Sequence, residues 1–250
     1  MRGACGLSLS PAMLRSLPRA VEDAAAAAGL GTEVLLRCAL SGSEDAVTAL
    51  VERLVVGETY FWRHPEQLAL LRDVAFRAEG PLHLWSAGCA SGEEPYSLAM
   101  ALLEAGRSGR GDRILASDVS AGALARARSA HYAARSLRRI PERLRMRYFR
   151  GEPPRAQVVP EVRELVSFSR HNLVVDKPPG EGFDVVVCRN VLIYFDPVLA
   201  AEVLYRLLAA TRPGGILVLG PVELPLAQAV GAEWVESGTA SVLRRPAAAR

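Results

Sequence analysis

Lysine is nearly absent from this 250-residue chain: Lys177 is the single lysine among 30 basic residues, the rest being arginine. A bias that strong, beside abundant alanine, reflects the composition of a source genome, so arginine clusters are not in themselves evidence of a nucleic-acid surface. Cysteine is scarce too. Cys5, Cys38, Cys89 and Cys188 form no Cys-x-x-Cys pair, which argues against a zinc site and a disulfide framework and leaves four reduced, packed thiols. The four histidines, His64, His83, His131 and His171, show neither metal nor triad spacing and read as structural. No apolar run approaches the roughly 20 residues of a membrane span, and no basic segment with a sustained apolar stretch and cleavage site opens the chain. These absences predict a soluble, cytoplasmic protein with no metal and no membrane insertion.

What is present is a large apolar fraction, 50% of residues, enough for one large α/β domain or a small domain joined to a medium one. Up to about Val56 the pattern is helical. An alanine-rich segment runs from Pro11 to Ala28, and Ser43-Glu44-Asp45 caps a run with Val47, Leu50, Val51 and Leu54 on one face. Another helix begins near Pro65, where proline suits a first turn, and ends by Gly80. Then the pattern alternates: a strand at 82–86, the loop 87–92, a helix from Glu93, a strand from Arg113 to Asp118, and a helix capped by Ser120. Strand, helix, strand, helix predicts a doubly wound, mostly parallel sheet. Residues 132–170 break the rhythm and read as an inserted subdomain. The sheet resumes with a buried strand at Phe183–Cys188. Asp196 and Pro197 open a further helix, Pro213-Gly214-Gly215 stops it and launches a strand at 216–219, and two short strands around Gly238 close the sheet as an antiparallel hairpin. The expected division is a helical domain at 1–63 and an α/β domain at 64–250.

Nine arginines between Arg126 and Arg150 face one acid, Glu142. They form either a solvated helix face or a docking surface for an acidic protein. The first strand, glycine loop and helix suit any nucleotide-like ligand. Gly88 and Gly92 bracket three residues instead of forming Gly-x-Gly-x-x-Gly, which weakens a dehydrogenase reading. Glu93 and Glu94 follow where a pyrophosphate would have to sit, so a cationic ligand fits better. S-adenosylmethionine carries a sulfonium, an ammonium and a ribose diol, and Asp118 at the end of the second strand could accept both ribose hydroxyls. Capping of the next helix is the plainer role for the same carboxylate.

The segment Trp85-Ser86-Ala87-Gly88-Cys89-Ala90-Ser91-Gly92-Glu93-Glu94-Pro95-Tyr96-Ser97 resembles the cofactor loop of the chemotaxis methyltransferase (CheR) family. Phe183-Asp184-Val185-Val186-Val187-Cys188-Arg189-Asn190-Val191-Leu192-Ile193-Tyr194-Phe195-Asp196 is similar to the family's second signature nearly residue for residue. Thr59-Tyr60-Phe61-Trp62-Arg63, Ala116-Ser117-Asp118 and Asn172-Leu173 add to the likeness. The resemblance implies a class I, Rossmann-like methyltransferase that moves the methyl group of S-adenosylmethionine to glutamate side chains of a chemoreceptor in chemosensory adaptation, giving a methyl ester and S-adenosylhomocysteine. It implies that Thr59, Arg63 and Glu94 meet the methionine end of the cofactor or line the reaction centre, with Gly57 and Gly88 also among the cofactor-binding positions. Asp118 would hold the ribose, Asn172 and Leu173 the adenine side, and Arg189 and Asn190 the adjoining wall. Arg63 and Tyr194 would be the catalytic residues that orient the substrate carboxylate.

The expected partner is the cytoplasmic helical bundle of a chemoreceptor, met by a monomer, without a grip on a receptor tail peptide and with no nucleic acid. The segment from Tyr148 to Phe168 is compact and contains Pro153, Pro154 and Pro160, unlike the longer, glycine-containing stretch of tail-gripping relatives. Two further departures stand out: Gly57 where the family has asparagine, and Gly220-Pro221-Val222-Glu223 in place of Gly-His-Ser-Glu. A glutamate carboxylate is ionised near neutral pH and needs no general base, which agrees with the missing His, Cys and Ser arrangements. The competing readings are a regulatory module that binds the cofactor without turnover, and a methyltransferase of similar fold with another substrate.

Overall fold

The computed structural model describes residues 11–54, 58–229, 234–237 and 240–246. Three helices come first: α1 (Pro11–Ala28), α2 (Thr32–Leu40) and α3 (Glu44–Leu54). Ser43 caps α3 through its hydroxyl, as expected. Val21, Ala24, Leu35 and Leu50 bury one side of this layer. Ala20, Val51 and Leu54 form another, packed on Val119 and Tyr194 of the α/β domain. Helix α2 was not separable in the sequence, because Val34, Leu36 and Leu40 are exposed and its apolar residues do not fall in one stripe.

After α4 (Pro65–Arg77) the chain alternates through β1 (His83–Ala87), α5 (Glu93–Glu104), β2 (Arg113–Asp118) and α6 (Ala121–Ser129). A small unit follows: β3 (His131–Tyr132), α7 (Ala134–Leu137), α8 (Glu142–Tyr148), β4 (Phe149–Arg150), β5 (Ala156–Val158) and α9 (Pro160–Arg163). The chain then adds β6 (Val166–Arg170), β7 (Phe183–Cys188), α10 (Pro197–Ala210), β8 (Thr211–Leu219), α11 (Leu224–Ala229), β9 (Trp234–Ser237) and β10 (Ala240–Arg244).

The main sheet has the order β6-β2-β1-β7-β8-β10-β9, and β3-β5-β4 form a separate three-stranded sheet. Every pairing from β6 to β8 is parallel, and β10 runs antiparallel to β8 and β9. Both faces of the centre are covered. Leu84, Val185, Val187 and Ile216 bury toward α4 and α5, while Trp85, Val186 and Leu217 bury toward α10, which is why the central strands read as unbroken apolar runs. Strand order reverses between β1 and β7, the switch point where open α/β sheets form a crevice at their carboxyl ends.

Two boundaries differ from expectation. β6, assigned above to the insertion at 132–170, is an edge strand of the main sheet paired with β2. Its residues are at most half-buried, so the hydrophobic signal of a central strand is missing. And β8 starts at Thr211, with Pro213-Gly214-Gly215 inside it as an irregularity against Phe183–Val185. A Cβ on Gly215 would come within 2.7 Å of Thr211 Cγ2 and 2.9 Å of the Asp184 carbonyl, so the glycine permits close strand approach at a bulge.

The loops opposite the crevice are closed by one buried ion pair. Arg107 reaches Asp112 through two bonds, 2.6 and 2.8 Å, and gives further hydrogen bonds to the Ala75, Ala78 and Gly80 carbonyls, while Asp112 also accepts the Leu82 amide. The two side chains are 3% and 1% exposed. Asp112→Ala strands the guanidinium in the interior and is expected to lower unfolding stability by about 3–5 kcal/mol. A urea titration checks this: the midpoint falls with little change in slope.

Candidate active site

A cavity of about 280 Å³ opens at the carboxyl ends of β1, β2 and β7. Every candidate residue that the structure describes lines it. Thr59, Arg63, Gly88, Glu94, Asp118, Asn172, Leu173, Arg189, Asn190 and Tyr194 all belong to its lining. Gly57 lies outside the described residues.

The walls are tied to one another by Arg189, which follows β7. Its Nε donates to Glu94 Oε2 at 2.7 Å, and its Nη1 to the Arg63 carbonyl at 2.8 Å and Gln67 Oε1 at 3.0 Å. Ser86 Oγ donates to the other Glu94 oxygen at 2.7 Å, so Glu94 faces the cavity with its orientation set. Glu93 does not join it. Its carboxylate accepts bonds from Ser91 and Ser136 and is buried against the inserted unit. The pair of acids expected opposite a cationic ligand is therefore one acid at the cavity and one structural anchor.

The segment before α4 is pinned from three sides. Phe61 is fully buried, edge-on to Tyr132 and Phe149. The Trp62 amide donates to Ser97 Oγ, and the Arg63 carbonyl accepts from Arg189. Trp62 (φ 63°) and His64 (φ 58°) both take left-handed backbone conformations around Arg63, strain that survives only where surroundings over-determine it. Arg63 Nε ends buried with no hydrogen-bond partner, as does Asn190 Oδ1. A donor and an acceptor left unmatched in one cavity suit a ligand with both kinds of group.

Asp118 is 8% exposed and holds the loop itself: Oδ2 accepts the Ala90 amide and Oδ1 the Ser120 amide, both at 2.9 Å. The helix cap is Ser120, whose hydroxyl accepts the Ala123 amide, so the plainer role considered for Asp118 falls to its neighbour. Burial pushes the Asp118 carboxyl up, and the backbone donors at Ser120, Ala90 and Val119 pull it back. Asn172 Oδ1 accepts the Val174 amide and fixes the turn after β6.

Sequence reasoning passed over several features. His171 lines the cavity edge-on to Trp85, and burial holds its imidazole below the ordinary value. Val51 and Glu52 of α3 also line it, and Glu52 accepts the Gly122 amide, so the helical layer is one wall. Glu223 reaches from the end of β8 to the backbone of Asn190, Val191 and Leu192. None of these carries a local sequence signal except Glu223, the glutamate retained in Gly220-Pro221-Val222-Glu223. Among the described residues no group of three or more His, Cys, Asp and Glu could hold a metal ion. No described helix is long and apolar enough to cross a membrane.

Residues 57–233 match the family model described as CheR methyltransferase, SAM binding domain. The chain belongs to the CheR methyltransferase family. It is 34% identical to the probable biofilm formation methyltransferase WspC of Pseudomonas aeruginosa, across 98% of this chain and 60% of that protein. It is 39% identical to chemotaxis protein methyltransferase 2 of the same organism, across 69% of this chain and 65% of the relative. With chemotaxis protein methyltransferase 1 of Vibrio cholerae the identity is 35%, over 76% and 73%. The chain thus spans less than two thirds of the two Pseudomonas relatives. S-adenosylmethionine is the cofactor of this CheR-family chain, and the mixture of acids, an unmatched acceptor and an unmatched guanidinium NH around the cavity fits it.

Gly88 tests the link between loop and cofactor. It holds φ +83°, and a Cβ there would meet Val191 Cγ2 at 2.5 Å, pushing the two signature loops apart. Gly88→Ala is expected to raise the S-adenosylmethionine dissociation constant by about tenfold or more, the equivalent of about 1.4 kcal/mol. Calorimetry measures the loss, and an unchanged circular dichroism spectrum shows that the fold persists.

Proposed function

We propose that this chain methylates glutamate side chains on the cytoplasmic helical bundle of a chemoreceptor. When bound, S-adenosylmethionine supplies an electrophilic methyl group on a sulfonium. The observation that carries the reading is that Arg63 and Tyr194 line one cavity, Arg63 with a buried Nε that has no hydrogen-bond partner. A guanidinium with a free donor attracts a carboxylate. Burial raises the Tyr194 phenol above its ordinary value, with Arg63 pulling the other way, so near neutral pH the phenol keeps its proton and acts as a donor. Arg63 pairs with the incoming glutamate and Tyr194 restrains it. A C–O bond forms as the C–S bond breaks, and no proton has to move, which is consistent with burial holding the His171 imidazole below its ordinary value, edge-on to Trp85. The residues contribute alignment and exclusion of water. Glu94, Asp118, Asn172 and Leu173 hold the cofactor.

The target bundle is recognised without a receptor-tail grip. Adding a peptide to the small sheet would need an edge that can template a strand, and its edge strands β3 and β4 are two residues each, which offers little backbone to pair with. Given the likeness to a biofilm formation methyltransferase, the pathway served includes outputs other than swimming.

Transfer of labelled methyl from the cofactor to receptor cytoplasmic fragments tests the reaction, because a carboxyl methyl ester is lost in mild alkali and an N-methyl product is not. Cofactor binding with no transfer would leave a regulatory module instead. Tyr194→Phe deletes one oriented donor and keeps the ring. It is expected to slow single-turnover methylation by about 10²-fold, or roughly 3 kcal/mol, with cofactor affinity retained. Arg63→Ala is expected to lose rate by more than it loses cofactor affinity, and equal losses in both would move Arg63 to cofactor binding. A receptor tail peptide is expected to show no saturable heat at concentrations on the order of 100 μM, well above the micromolar range in which a functional tether would bind.

A further inference from the structure

Glu223 carries an arrangement that the chemistry above does not use. It closes a 3-10 turn, Pro221–Glu223, directly after β8, and is 2% exposed. Oε1 accepts the Val191 and Leu192 amides at 2.8 Å each, and Oε2 accepts the Gly220 amide at 2.8 Å and the Asn190 amide at 2.9 Å. Among the described residues no Lys, Arg or His forms an ion pair with it. A buried carboxylate without a counter-ion is costly, and four converging backbone dipoles offset that cost. Burial pushes its carboxyl up while the four donors pull it back. Each oxygen already accepts two N–H groups, so the arrangement has no lone pair left for a proton and requires the ionised form.

Three of the four donors belong to consecutive residues, Asn190 to Leu192, in the turn between β7 and the 3-10 segment Leu192–Tyr194. That turn is strained at Asn190, φ 59°, and the 3-10 segment it leads into ends at Tyr194, whose hydroxyl is to restrain the substrate. An apolar side chain of similar volume would fill the space but leave these N–H groups without an acceptor. What the carboxylate adds is the simultaneous gathering of three successive amides, which sets the direction in which the chain leaves the turn. We propose that Glu223 is a positioning residue for methyl transfer, its carboxylate clasping the Asn190–Leu192 amides so that the Tyr194 hydroxyl is held at the cavity. Gly220 belongs to the same clasp. A Cβ there would come 2.9 Å from Glu223 Oε2 and 3.2 Å from the Asn190 amide nitrogen, while its φ of −70° suits any residue. Gly220→Ala therefore disturbs the clasp without altering the carboxylate.

The inference rests on the functional reading of Tyr194 given above, and its test separates the two. In Glu223→Gln one oxygen becomes an NH₂ group facing N–H donors. Single-turnover methylation is expected to slow by about 10²-fold, and the cofactor dissociation constant to rise by clearly less than the rate falls, because Glu94 and Asp118 are held by other bonds while Asn190 and Val191 of the clasp also line the cofactor cavity. In a Tyr194→Phe background the same change is expected to cost less than about threefold, since the hydroxyl it positions is already gone. Glu223→Asp restores part of the rate. Gly220→Ala shows the same pattern and carries the test if Glu223→Gln does not fold. In a crystal structure of either variant the Tyr194 hydroxyl is displaced by about 1 Å or more relative to wild type. Wild-type rates in both variants, a loss that adds fully to that of Tyr194→Phe, or an unmoved hydroxyl overturns the proposal. If the wild type transfers no methyl to receptor glutamates, the functional reading fails, and the crystallographic comparison still decides whether Glu223 positions Tyr194.

Discussion

The cleft of this protein depends on one buried ion pair. Arg189 and Glu94 lie 95 residues apart in sequence, meet at 2.7 Å and are 3% and 10% exposed. Arg189 also takes the Arg63 carbonyl and Gln67, whose own amide bonds the Leu219 carbonyl at the end of β8. A single guanidinium thus joins the segment before α4, the first turn of α5 and the turn after β7, three of the stretches on which the family likeness rests. Arginine suits this because its planar fork satisfies several acceptors at once in a dry site, which a lysine could not do with comparable geometry. The pair does not have to add stability to be retained. Its effect is to give the cavity one arrangement.

Backbone strain collects around the same cavity. Of the five non-glycine residues with positive φ among the described residues, Trp62, His64, Ala90 and Asn190 flank or line it. Each such conformation costs on the order of 1–3 kcal/mol and persists where neighbours hold it. Here the holders are identifiable: Ser97 for the Trp62 amide, Asp118 for that of Ala90, and Glu223 for that of Asn190. Three side chains fasten backbone amides, so the cavity is shaped before a ligand arrives, the condition under which alignment contributes most to rate.

The arginine-rich stretch of the insertion has a use that neither sequence alternative described. Arg143, Arg147 and the Tyr148 hydroxyl converge on Glu104 of α5, Arg145 bridges Glu142 and Glu152, and Arg138 stacks on Tyr60 and pairs with Glu58. Burial alone would raise the Glu104 carboxyl, and the hydrogen bonds from Arg143 and Tyr148 hold it below its ordinary value. Arg138, Arg143 and Arg147 therefore fasten the inserted unit to the rest of the chain, although all three remain exposed. Counting acids within the run found only Glu142, because Glu58, Glu104 and Glu152 come from other parts of the chain.

The alternation of strands and helices, the caps at Ser43 and Ser120, and the loop position of Gly88 and strand-end position of Asp118 were readable from residue order, since each rests on local periodicity or on backbone chemistry within a few residues. The family motifs added the cofactor class. Sequence did not separate α2, placed β6 in the insertion, began β8 five residues late, and counted Glu93 beside Glu94 in the charge argument for a cationic ligand. In each case the deciding contact is distant: β6 is a strand because β2 offers an edge, and Glu93 turns from the cavity because Ser136 waits behind it. Glu223 is the sharpest instance, one acid in a short turn whose meaning appears only when β8 and β7 lie side by side and bring three amides to its carboxylate. Residue order sets which groups the chain possesses and which local shapes it favours, whereas long-range strand pairing determines which of those groups share a low-dielectric space, where hydrogen bonds and charges carry their full weight.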